Sequence, residues 1–129
     1  MKKYLKLIIL LISIATLFSG ILQLVKPDFV LQMVGAEITP TTKQFFAIIG
    51  MFMALFGGLM IHTLYAAVTS REAVLWSGLQ KIGAFTAVSI GYMHGLFIMM
   101  AMGVALFDLF SGILFIIYWI QLGKSTSRS

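Results

Sequence analysis

A chain of 129 residues that is 60% hydrophobic and 10% charged, with a mean hydropathy of +1.05, has too few charges to cover a water-exposed surface. Its net charge of +5 gathers at the ends, at Lys2, Lys3 and Lys6 and again at Lys124 and Arg128, with no basic patch interleaved with aromatics; this excludes a nucleic-acid partner. The lack of cysteine excludes thiol–disulfide exchange, thiolate metal sites and cysteine nucleophiles, and no hydrophilic stretch is long enough for a second unit, so 1–129 is expected to form one membrane domain.

The first apolar run covers 7–25. A basic start before an apolar run also describes a signal peptide, but this run exceeds the ~7–15 residues of such a segment. Leu17 or Phe18 would also occupy the small-residue position before a cut near Ser19 and Gly20. A retained first span is expected. Pro27 stops it and opens a short helix, which Gly35 closes. Phe29, Val30, Met33 and Val34 would share one face there, so this piece is expected to lie in the membrane interface.

Thr39, Pro40, Thr41 and Thr42 read as the turn and cap before a second span, about 44–68. Residues 69–72 form a short polar break, and a third span follows at about 73–92. The segment 93–102 is an apolar turn that must tuck against the helices or dip into the headgroups. A fourth span covers about 103–122. Each run is close to the ~20 residues that a bilayer core requires. The expected fold class is all-α, an integral membrane up-and-down four-helix bundle with a short interfacial helix in the first loop.

Lysine and arginine set the orientation. With the N-terminus in the cytoplasm, that side carries Lys2, Lys3, Lys6, Arg71, Lys124 and Arg128, and the other carries Lys26 and Lys43. Trp76, Tyr118 and Trp119 fall near the cytoplasmic boundary, where amphipathic rings are favoured. The expected location is the bacterial inner membrane, multi-pass, with both termini in the cytoplasm.

Small residues at helical spacing let membrane helices approach closely. Ser13, Thr16, Gly20 and Gln23 share a face of the first span, and Gly50, Ala54, Gly58 and His62 step by four along the second. Ser77, Gly78, Lys81 and Ala84 cluster on the third, and Ala101, Ala105, Asp108, Ser111 and Gly112 on the fourth. Two opposite charges, Lys81 and Asp108, thus sit inside apolar spans, where a charge costs at least ~2.5–3.5 kcal/mol and faces a partner or a polar cavity. Their depths differ by about one helical turn, within reach of a lysine stem. The expected site is therefore a buried Lys81–Asp108 pair with His62 as third member, and Gln80 on a different face. Gly50, Ala54, Gly58, Ser77, Gly78, Ser111 and Gly112 are expected to pack helices.

His62 and His94 lie ~20 Å apart in depth and cannot share one haem iron. No second ligand stands at metal-site spacing, and no Ser-His-Asp set, paired carboxylates or phosphate loop is present, so no catalytic residue, metal or cofactor is nominated.

The Lys-rich first span, Pro27 and Gly35, the glycine-rich stretch 49–58, Trp76 with 80–84, and 104–108 followed by Ser111 and Gly112 together resemble the DoxX-like small four-helix membrane proteins and their domain-of-unknown-function relatives. The resemblance covers nearly the whole chain. It implies an up-and-down four-helix fold with an acid in the last helix, matched by Asp108, and transfers no catalytic residue. The expected role is an accessory or small-molecule- or lipid-binding membrane protein, in contact with the lipid bilayer and with a membrane-protein partner or a second copy. The alternatives are a small transporter or proton-coupled carrier, and a quinone-linked oxidoreductase subunit.

Overall fold

The computed structural model describes residues 2–127. Arg128, one of the flanking cations counted above, lies outside the described residues. Among the described residues there are five helices and no strand: α1 Lys2–Val25, α2 Pro27–Val34, α3 Pro40–Tyr65, α4 Arg71–Met93 and α5 Met99–Ser127. Four are long and apolar enough to cross a membrane, over Lys3–Val25, Pro40–Tyr65, Arg71–Met93 and Met99–Lys124. The shortest of these has 23 residues, or ~35 Å at ~1.5 Å per residue, against a hydrocarbon core of ~30 Å.

Local chemistry explains where the helices begin and end. Pro27 opens α2 at a position whose N–H has no helical partner in any case. Gly35 closes α2 in the left-handed region at φ 74. There its N–H donates to the Gln32 carbonyl at 3.1 Å and the Ala36 N–H to the Leu31 carbonyl at 2.9 Å, so two orphan carbonyls are satisfied. Thr39 and Thr42 then cap α3 reciprocally: the Thr42 N–H donates to Thr39 Oγ1 at 3.0 Å, and the Thr39 N–H to Thr42 Oγ1 at 2.8 Å. This cap starts the helix at Pro40, four residues before the apolar run suggested.

At its other end α3 stops at Tyr65 rather than near 68, because Ala66 is extended and the Ser70 N–H reaches back to Thr63 Oγ1 at 2.7 Å. Ser70 in turn caps α4, accepting from the Ala73 N–H at 3.2 Å. The expected turn over 93–102 shrinks to 94–98, since α5 begins at Met99. Part of this apolar link does tuck in. The Ile98 N–H donates to the Val34 carbonyl at 2.9 Å, the Ile98 side chain covers Gly35, and the Phe97 ring covers Gly91.

The long helices associate mainly as two pairs, α1 along α3 and α4 along α5, with α1 also meeting α5. Ile9 and Ile12 of α1, Met60 and Leu64 of α3, Val74 of α4 and Phe115 and Tyr118 of α5 form one buried apolar cluster. The starts of α1 and α4 and the ends of α3 and α5 therefore lie together. Tyr118, expected as a boundary ring, belongs to this cluster, while Trp76 is exposed and the Arg71 guanidinium stacks over Trp119 at 4.8 Å. The face expected for α2 is split: Val34 turns inward beside Leu31, a residue outside that face, while Phe29 and Met33 stay exposed.

Candidate functional site

The site is built where glycine and serine let helix backbones approach. A Cβ on Gly112 would stand 3.1 Å from the Gly78 carbonyl oxygen and 2.8 Å from Ile82 Cγ1, so α4 and α5 are in close contact one turn from Lys81. Ser77 and Ser111 are buried on the same seam, and Ser111 satisfies its hydroxyl within its own helix by donating to the Phe107 carbonyl at 2.7 Å. On α1 and α3 the close approach falls at Gly20 and Gly50, where a Cβ on Gly50 would be 2.7 Å from the Gly20 carbonyl oxygen. Ala54 shares this contact, since its backbone N would be 2.5 Å from a Cβ on Gly20.

Within this frame the Lys81 ammonium on α4 lies 3.5 Å from Asp108 Oδ1 on α5. It also donates to Thr16 Oγ1 of α1 at 2.6 Å. The two charged side chains are 4% and 13% exposed, so the pair is almost withdrawn from the surface. Thr16 donates its own hydroxyl proton to the Ile12 carbonyl at 2.9 Å, which leaves its lone pairs aimed at the ammonium. The Phe107 ring centroid, 5.9 Å from Lys81 Nζ, adds a weak cation–π contact at the limit of range. One ammonium thus ties three helices together and bridges the two helix pairs.

Two residues placed by the sequence analysis move, and both for the same reason. His62 is exposed on α3 and does not line the site; Thr16 takes its place as third member. Likewise Gly58 has no atom within 4 Å of where a Cβ would stand, whereas a Cβ on Gly57 would meet the Leu17 backbone at 2.7 Å. At about 100° per residue, a four-residue step rotates about 40°, so the series from Gly50 to His62 drifts about 120° around the helix. A seven-residue step loses only about 20°, which keeps Gly50, Gly57 and Leu64 on one face. The heptad spacing in α3 was the available signal.

Gln80 also differs from expectation. It lines the same gap as Lys81, between α1, α3, α4 and α5. Ser13, Thr16, Ser77, Gln80 and Lys81 supply the polar side of this gap, and Met60 and Phe115 supply apolar wall. It has room for about one water molecule. Ser77 Oγ and Gln80 Oε1 are buried without a hydrogen-bond partner among the described residues. Buried polar atoms in native proteins are nearly always bonded, so these two mark unused binding capacity beside a charge.

The arrangement holds a positive charge midway along α4, a helix of membrane-crossing length, with unbonded polar atoms beside it among the described residues. Among the described residues no group of three or more His, Cys, Asp or Glu could hold a metal ion. No family model matches the sequence, and no curated protein or solved structure matches it either.

Proposed function

We propose that this chain is an accessory or small-molecule- or lipid-binding protein of the bacterial inner membrane, with both termini in the cytoplasm. In this reading the four long helices form an up-and-down bundle, and α2 lies in the interface with Phe29 and Met33 toward lipid. The residues that resemble the DoxX-like group fit that architecture, with Asp108 as the acid of the last helix. The observation that carries the reading is the Lys81 ammonium, bonded to Thr16 at 2.6 Å and paired with Asp108 at 3.5 Å beside unbonded Ser77 and Gln80. Ionisable groups at this depth are expensive to keep, and function is the usual reason for keeping them.

A proton-coupled carrier is the second reading. It is favoured by the position of the charges at the seam between the α1/α3 and α4/α5 pairs, where a relative movement of the pairs would expose them. No feature of the gap favours a quinone over a lipid or other small molecule, so the quinone-linked reading stands third.

Native mass spectrometry of the protein in detergent tests the first reading. A lipid, small molecule or protein partner should remain bound to the wild type and be lost from a folded Lys81→Met/Asp108→Asn double variant. A bare monomer in both cases refutes it. Proton-dependent flux in liposomes, abolished in the double variant, would establish the carrier instead.

A further inference from the structure

We propose that the gap beside Lys81 is a binding site for one water molecule, which accepts a hydrogen bond from the Lys81 ammonium and bonds to Ser77 Oγ and Gln80 Oε1. The inference goes beyond the reading above: it rests on that reading only for the site's location and concerns the gap with the helices closed, whereas a larger ligand would need the helix pairs to part.

Counting donors and acceptors identifies the occupant. An ammonium has three N–H donors. Lys81 uses one on Thr16 at 2.6 Å and directs a second at Asp108 Oδ1, 3.5 Å away. Its third donor is left over, and Lys81 lines a gap bordered by two buried oxygens without a hydrogen-bond partner among the described residues, Ser77 Oγ and Gln80 Oε1. Ser77 is 1% exposed, so its hydroxyl is withdrawn from the surface. A third acceptor is close by: Ser13 donates its proton to the Ile9 carbonyl at 2.7 Å, which leaves its lone pairs free. The gap is at the lower limit for one water, and a stable buried water needs about 2–4 polar partners.

Other occupants fail on charge or size. A metal cation would stand against the Lys81 ammonium, and a polyatomic anion is larger than a gap with room for about one water. An apolar group would leave both Ser77 and Gln80 unbonded. Water fits the space and can both accept from Lys81 and donate to the two oxygens. It would serve equally well if the Gln80 amide were turned over, since it can also accept from an amide nitrogen. With water in place the ion pair becomes a hydrated site, and the Lys81 protons can exchange.

The test uses the full chain in lipid bilayers, with lysine side chains labelled with ¹⁵N. Magnetisation is transferred from water protons to each ammonium, and the Lys81 signal is assigned by its loss in Lys81→Met. Transfer to Lys81 should be detectable, though slower than to Lys26 and Lys43, which are exposed. It should fall several-fold in Ser77→Val, whose added methyl groups fill the gap. No detectable transfer to Lys81 in a sample where Lys26 and Lys43 both respond would overturn the proposal. Should Ser77→Val fail to fold, Ser77→Ala supplies an independent measurement. Loss of a hydroxyl bonded to water lowers the unfolding midpoint, whereas removal of a dry, unbonded one leaves it unchanged or raises it, and that result would also overturn the proposal. Water at Lys81 with a bare monomer in mass spectrometry would sink the proposed function and leave the water site standing, while a dry Lys81 with a bound ligand would do the reverse.

Discussion

Breaking the Lys81–Asp108 pair is the perturbation with the largest calculable consequence. At 3.5 Å and an effective dielectric near 20, two unit charges attract by about 5 kcal/mol. That attraction offsets the cost of withdrawing both charges from water, so it is no measure of net stabilisation. Removing one partner exposes the difference, because an uncompensated buried charge remains, at a cost of about 3–5 kcal/mol. Lys81→Met and Asp108→Asn should therefore each lower stability by roughly that amount. The Lys81→Met/Asp108→Asn double variant leaves no orphan charge and should lose less than the sum, with a coupling energy of up to about 3 kcal/mol. Unfolding of the four proteins in the same micelle, followed by circular dichroism, gives the cycle. Losses that add to within about 0.5 kcal/mol would show that the two side chains do not stabilise each other, and the reasoning fails.

Further expectations follow from the same packing. Thr16→Val removes an acceptor from a charged donor and should cost about 1.5–3 kcal/mol, with Thr16→Ser close to wild type in the same unfolding measurement. His62→Leu should change stability by less than about 0.5 kcal/mol, since this side chain is exposed on α3; a larger loss would return His62 to the site. Gly57→Ala should destabilise by about 1–3 kcal/mol, because its Cβ would collide with the backbone of Leu17. Gly58→Ala should instead be neutral or stabilise by up to about 1 kcal/mol through helix propensity, and the reverse order would refute the assigned α1/α3 interface. Reporter fusions after Ser129 and within 36–40 should report opposite compartments, with the C-terminal fusion cytoplasmic; a periplasmic C-terminus would overturn the orientation drawn from lysine and arginine.

The start and stop signals of the helices were legible from local chemistry. Pro27, Gly35 and the Thr39–Thr42 cap act through backbone groups a few residues away, so their effects can be read along the chain. Hydropathy marked the four membrane-length helices because each must span an apolar thickness with its own residues. It placed the ends less well: the α3 cap and the Thr63–Ser70 bond shift the boundaries by several residues, and hydropathy is blind to both. Lys81 and Asp108 were conspicuous for the simplest reason, as charges within apolar runs.

What the sequence by itself determined is which segments become membrane-length helices and which charged side chains cannot be left facing lipid. Tertiary structure decided which side of each helix meets a neighbour. In a lipid-facing protein this cannot be read from hydrophobicity, because lipid tails are as apolar as leucine and an outward Leu55 resembles an inward Leu64 in sequence. The choice rests on close approach between particular backbones, α1 on α3 at Gly20, Gly50 and Gly57 and α4 on α5 at Gly78 and Gly112. Those approaches fix the rotation of each helix, and rotation brings Thr16 to Lys81 and turns His62 away. It also places Gln80 in the gap with Ser77, because contacts among four helices settle an angle that spacing along one helix leaves open.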